Sequence, residues 1–142
     1  VVFGDHNPWL GDGNAVYKAM GLDLDFSTGE GFYNYYSTRY LIWANDASKE
    51  ALDRDFTGQG PTISPNFLMN EVFRQCGWDG NSFRQSTQQV MDQVPVINTP
   101  TGLYVEGGRL TAALTPEGQA LVDDYHMLQY YWRRHFAYDS VS

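Results

Sequence analysis

From Ser64 onward the chain carries helix-starting and helix-stopping residues at short intervals, and this punctuation restricts it to a succession of brief elements. Ser64 as cap, with Pro65 in the first turn, opens a helix bearing Phe67, Leu68, Val72, Phe73 and Cys76 on one side and stopped by Gly77. Ser82 caps a second helix, in which Phe83, Thr87, Val90, Met91 and Val94 fall at helical spacing before Pro95 ends it. Thr115-Pro116 starts a third, with Leu121, Tyr125, Leu128, Trp132 and His135 in one stripe despite the intrinsic cost of Gly118. Such stripes read as core. Between the second and third helices, Leu103-Tyr104-Val105 and Arg109-Leu110-Thr111 flank Glu106-Gly107-Gly108, the signal of a compact antiparallel hairpin near a sheet edge.

The earlier part of the chain is less regular. Val1 to His6 reads as a buried strand with an acid and an imidazole at its end, and Asn14 can cap a short helix through Met20, with Gly21 as a left-handed terminator. Leu22-Asp23-Leu24-Asp25-Phe26 alternates apolar and acidic residues, as a half-exposed extended segment does; its aspartates lack the Gly and Glu positions of a calcium loop and read as a solvated face. Ser27 to Thr38 is Gly- and Tyr-rich, with Phe32, Tyr33, Tyr35 and Tyr36 crowded around Asn34. It reads as a long loop whose aromatics either pack against a sheet or contact a ligand. Tyr40 to Ala44 is the continuous apolar run expected of a strand buried on both faces. Asp46 caps a short helix through Leu52, and Thr57 to Pro61 is a loop whose glycines lack the spacing of a phosphate cradle.

Asp5 and His6 carry the visible chemistry. Neighbours inside a strand point to opposite faces, so the two can converge on one ligand only where the strand ends. Gly4 just before the pair and Asn7-Pro8 just after it provide that ending. A carboxylate oxygen with a neutral imidazole nitrogen suits a divalent ion of intermediate hardness, such as Mn2+ or Zn2+. A turn cap beside a solvated imidazole fits the same two residues. No HExxH, CxxC or HxH spacing adds further ligands. His126 and His135, nine residues apart on one expected helix, would face opposite sides and are poor third ligands.

A longer string, Val1-Val2-Phe3-Gly4-Asp5-His6-Asn7-Pro8-Trp9-Leu10-Gly11, followed by Phe32-Tyr33-Asn34-Tyr35-Tyr36-Ser37-Thr38 and Tyr40-Leu41-Ile42-Trp43-Ala44, resembles the sulfatase-like phosphoglycerol transferases. This family, within the alkaline phosphatase superfamily, includes the lipoteichoic acid synthases. The resemblance runs through the Ser64-Pro65 helix and implies an α/β fold: the C-terminal part of a sulfatase-like sheet flanked by helices, with residues 1–142 as one piece of a catalytic domain. It implies Asp5 and His6 as ligands of the catalytic metal, Mn2+ in first place with Zn2+ or Mg2+ as alternatives. The family's nucleophilic Thr and first acidic ligand precede the Gly-Asp-His string, so these 142 residues are expected to hold no nucleophile and to be inactive alone. The implied setting is the extracytoplasmic face of a membrane-anchored parent acting on an anionic lipid or glycan. Arg39 stands where many relatives have Pro; with Asn34 and Tyr33 it is a candidate for holding substrate phosphate or sugar hydroxyls.

On length alone the chain would be a single domain. A net charge of −8 opposes nucleic-acid partners, whose affinity comes from clustered Lys and Arg. The longest apolar runs are far short of the ~20 residues of a membrane span. Cys76 is the only cysteine, so no internal disulfide is possible, and its apolar neighbours mark it as a small core residue. If the companion half of the chain supplies central strands, these residues expose a sheet edge and an apolar face, and self-association is expected. The alternative from another functional class is a non-catalytic glycan-binding or interaction domain, with Asp5-His6 a turn and the Tyr cluster its contact surface.

Overall fold

The computed structural model of the chain describes residues 1–25, 27–99 and 101–135. Where length alone suggested one domain, the chain divides into two compact units, Val1–Phe56 and Thr57–Ser142. The architecture is mixed α/β, with two small antiparallel sheets of two and three strands. No helix among the described residues is long and apolar enough to cross a membrane.

The first unit contains β1 (Val2–Phe3), α1 (Ala15–Ala19), α2 (Gly29–Tyr36), β2 (Tyr40–Leu41) and α3 (Asp46–Leu52). β1 and β2 pair antiparallel, with Val2 opposite Leu41 and Phe3 opposite Tyr40. Both strands were expected to be buried, and neither is: Val1, Val2, Phe3, Leu41 and Trp43 are exposed, and only Ala44 of the second run is buried. The apolar runs predict strands correctly, but two strands cannot cover each other's faces. The Gly- and Tyr-rich stretch expected as a loop is largely helical. Thr28 caps α2 by accepting the Gly31 N–H at 2.9 Å, and Gly31 sits so close to the Asp25 backbone that a Cβ there would overlap it. Glycine costs helix propensity here but permits this close contact. α3 runs as expected, though its cap is Asn45, one residue before Asp46; the Asn45 side chain accepts the Ser48 N–H at 2.9 Å. Asn14 occupies the cap position of α1 in a left-handed conformation without a capping bond to the helix, and its side chain accepts from Leu10 N instead. Gly21 is left-handed as expected. Phe26, the last residue of the alternating run, lies outside the described residues.

The second unit is built as its punctuation predicts, with one addition. A 3-10 turn at Pro65–Phe67 leads into α4 (Leu68–Cys76), which ends at left-handed Gly77. α5 (Ser82–Gln93) is capped by Asn81, not Ser82, through an N–H···O bond of 3.1 Å from Arg84. β3 (Val96–Asn98), β4 (Leu103–Glu106) and β5 (Arg109–Thr111) form an antiparallel sheet in that order, and α6 (Pro116–His135) follows. The β4–β5 hairpin turns through Gly107 and Gly108, both at positive φ, as a tight hairpin requires. β3 was not expected. It is held by Ser64, whose hydroxyl accepts the Ile97 N–H at 2.8 Å and donates to the Ile97 carbonyl at 3.2 Å, while Ser64 N–H donates to Pro95 O. Ser64 is therefore a strand partner and not the side-chain cap its position suggested.

Phe67, Val90, Met91 and Tyr125 form the core of this unit, with Ile63 and Ile97 packed against it. The Tyr125 hydroxyl meets Asn66 and accepts from Gln129 Nε2, and burial raises its pKa. A polar layer lies between α4 and α5. Asn70, 1% exposed, donates to Thr87 Oγ1 and Arg84 O. Glu71, equally buried, is held by Arg74 and Gln75. Buried polar groups are tolerable only when partnered in this way. Cys76 is half-buried and carries a free thiol. Gly118 also has its reason: Thr115 caps α6 by accepting the Gly118 N–H and hydrogen-bonds Glu106, whose Oε1 lies where a Gly118 Cβ would be.

Candidate functional site

Beyond Phe3 the backbone stays attached to β2's approach for one more residue, and then turns. Gly4 N–H donates to Arg39 O at 3.0 Å, and the Thr38 hydroxyl donates to Gly4 O at 2.7 Å. Both bonds hold the chain in place immediately before Asp5. Asn7 holds it immediately after His6: its side-chain amide donates to the carbonyls of Asn34, Tyr35 and Ser37 at 3.1, 2.9 and 3.0 Å. These carbonyls belong to the end of α2, where the helix leaves acceptors without intrahelical partners. One side chain therefore finishes α2 and pins the Asp5-His6 turn to it. Sequence reasoning missed Asn7, because partners 27 to 30 residues away leave no local signal.

Within the turn, Asp5 Oδ1 accepts the His6 N–H at 2.9 Å, and Asp5 Oδ2 lies 3.7 Å from His6 Nε2. His6 Nδ1 is 3.1 Å from Asn7 O. A carbonyl only accepts, so in the neutral imidazole this contact places the proton on Nδ1 and leaves Nε2 as the nitrogen that could meet a metal. Both side chains are exposed. Two ligands of one ion at ~2.0–2.2 Å each are at most ~4.4 Å apart, so the Oδ2 and Nε2 separation suits a shared ion. The pair offers two donor atoms. Among the described residues no group of three or more His, Cys, Asp and Glu side chains lies together, so further ligands would have to come from elsewhere.

Of the three candidate substrate residues, Arg39 and Asn34 touch the strand end and the turn through their backbone carbonyls. Arg39, exposed, pairs through its backbone with Gly4. Asn34 is half-buried; its Nδ2 donates to Asp23 O at 3.0 Å and its carbonyl receives Asn7, so its amide serves the local structure. Tyr33 is half-buried beside it on α2. Of the Tyr cluster, Tyr36 packs on Phe32 and Tyr35, with ring centroids 4.7 and 5.1 Å away. Asp23 and Asp25, read from sequence as a solvated face, organise the start of α2. Asp23 accepts from Asp25 N and the Thr28 hydroxyl, and hydrogen bonds from Ser27 lower the Asp25 pKa.

No protein-family model, curated protein or solved structure matches this chain.

Proposed function

We propose that the chain is the C-terminal part of a metal-dependent, sulfatase-like phosphoglycerol transferase, with Asp5 and His6 as two of the ligands of a divalent ion, Mn2+ by preference. The observation that carries this reading is the turn itself: a carboxylate oxygen and an imidazole Nε2 at 3.7 Å, the imidazole oriented by a carbonyl on its other nitrogen. When bound, such an ion would polarise a phosphoryl oxygen and favour ionisation of a hydroxyl nucleophile. The chain's own contribution is to fix the backbone on either side of the two side chains, through Asn7 behind them and Thr38 before them. The nucleophilic Thr and remaining ligands are assigned to a preceding segment, the parent to the extracytoplasmic membrane face, and the substrate to an anionic phosphoglycerol-bearing lipid or glycan. Arg39, exposed one residue before β2, would meet the anionic headgroup.

In the full-length enzyme, Asp5→Ala and His6→Ala should each lower bound Mn2+ and phosphoglycerol transfer by about a hundredfold or more, since even outer-shell changes cost 10–100-fold. Unchanged metal content and turnover would remove both residues from the site. Arg39→Ala should raise KM for the anionic substrate and leave kcat alone. The isolated 142 residues should be silent; turnover of a phosphodiester with Mn2+ by this chain alone would end the reading. The rival is a non-catalytic interaction domain in which Asp5-His6 is a turn, and it requires that metal binding by the full-length protein not depend on Asp5 or His6.

A further inference from the structure

We propose that the groove between the end of α4 and the start of α5 is a saccharide site, with Trp78 as the platform for a sugar ring. The groove encloses about 370 Å³, toward the small end of the ~300–1,000 Å³ of small-molecule sites. Trp78 follows Gly77, and its N–H donates to Phe73 O at 2.9 Å. Phe73 also meets the indole edge-on, with centroids 5.6 Å apart at 88°. The ring is therefore held in orientation while 55% of the residue stays in water. An exposed indole braced by a neighbouring ring has less side-chain freedom to lose on binding than an unsupported one.

Arg84 is fixed as well. Its guanidinium lies over Phe73 and Phe83 at 5.9 and 5.8 Å, and Nη1 donates to Asn70 Oδ1 at 3.1 Å. Arg74 is engaged by Glu71 and Asp92, whereas among the described residues no carboxylate lies within ion-pair distance of Arg84. Gly80, at φ 72, brings the chain so near that a Cβ would crowd Arg84 Cβ at 2.7 Å, so the groove's end is closely packed. Gln85 spends its Nε2 on Gly80 O and Gln88 on Asp92. These bonds orient both amides and leave their carbonyl oxygens as acceptors. Asp79 adds an acceptor at the rim.

The site thus surrounds an aromatic plate with donors from Arg84 and the Trp78 indole and with acceptors from Gln85, Gln88 and Asp79. A pyranose has an apolar face and hydroxyls that both donate and accept, so it uses all of these together. An inorganic anion would use the donors alone and meet Asp79 and a chain of net charge −8. The groove belongs to the second unit, and the inference is independent of Asp5 and His6.

The test is an NMR titration of the full 142-residue chain with the methyl glycosides of glucose, galactose and N-acetylglucosamine. The Trp78 indole N–H is identified by its loss in Trp78→Phe. At least one glycoside should shift it, together with the backbone amides of residues 77–88, saturably; read on those amides, Trp78→Ala should weaken that binding about tenfold, and Gln88→Ala should weaken it several-fold. Gln85→Ala, at an exposed position, provides the same comparison should Trp78→Ala disturb folding. Asp5→Ala and His6→Ala should bind the glycoside as the parent chain does, which separates this result from the fate of the metal reading. The proposal is overturned if no glycoside saturates, if Trp78→Ala and Gln85→Ala bind unchanged, or if inorganic phosphate or AMP shifts the indole signal and glycosides do not.

Discussion

In the second unit Phe67, Val94 and Val122 lose nearly all contact with water, whereas in the first Val2 and Trp43 each keep 69% of theirs. The first unit buries two hydrophobic side chains, Phe32 and Ala44, among its described residues. Its order comes from directed hydrogen bonds: Asn7 to the end of α2, Thr38 to Gly4, Asn34 and Thr28 to the Asp23 segment. Each such bond contributes a net ~0.5–1.5 kcal/mol, against ~1.5–3 kcal/mol for a fully buried large apolar side chain. A unit held by polar contacts can fix a turn with accuracy and still have little stability of its own. Exposed apolar residues on this short strand pair, Val2 and Leu41 opposite each other and Phe3 on the other face, also invite a covering partner.

The sharpest way to break this contrast is to truncate one aromatic in each unit. Phe67→Ala should cost about 3–5 kcal/mol in urea unfolding followed at α4–α6, while Trp43→Ala should change the stability of the first unit by less than ~0.5 kcal/mol. Equal losses would mean that the first unit has a core after all. Asn7→Ala comes next. It should cost about 1–3 kcal/mol locally, read as faster amide exchange in α2 with the second unit's protection unchanged. The exposed strands should drive self-association. Sedimentation of the parent chain should depend on concentration, and Val2→Lys with Trp43→Ser should weaken association roughly tenfold; a chain monomeric at every concentration would show that the apolar surface is not adhesive.

The smallest effect is a pH dependence, to which the second unit contributes through Glu106. The Thr115 hydroxyl and N–H hold the Glu106 carboxyl below its ordinary pKa. The folded value lies under the unfolded one, so this stabilisation is complete above the unfolded pKa and disappears as pH falls through the folded pKa. Glu106→Gln should flatten the acid side of the melting curve, whereas Gly118→Ala should destabilise α6 in either background, because a Cβ there meets the side chain of residue 106. An acid limb unchanged in Glu106→Gln would place the titration elsewhere.

The helices of the second unit were legible because local residues start and stop them, and only the identity of the caps slipped. Asn81 and Asn45 won over Ser82 and Asp46 because each is the last extended residue before its helix, a backbone property that two adjacent capping types leave undecided. β3 was not legible because a distant hydroxyl, Ser64, pairs with it. α2 was hidden by its glycines, one of which answers to packing on Asp25. For the candidate site, Asp5 and His6 could be read as a pair from their neighbours in sequence. The geometry that orients them depends on Asn7 and the far end of α2.

That dependence bears on chemical durability. Conversion of Asn7 to aspartate would set an acceptor against three carbonyls and release the turn. Asparagine ages chiefly when the next residue's backbone nitrogen attacks the side-chain amide, a step that draws on the N–H proline lacks. Pro8 therefore protects the residue whose loss would matter most to the turn. Asn81, followed by Ser82, has no such protection, so peptide mass spectra of an aged sample should show aspartate at Asn81 well before Asn7. The reverse order would mean that another route of decay acts on the turn.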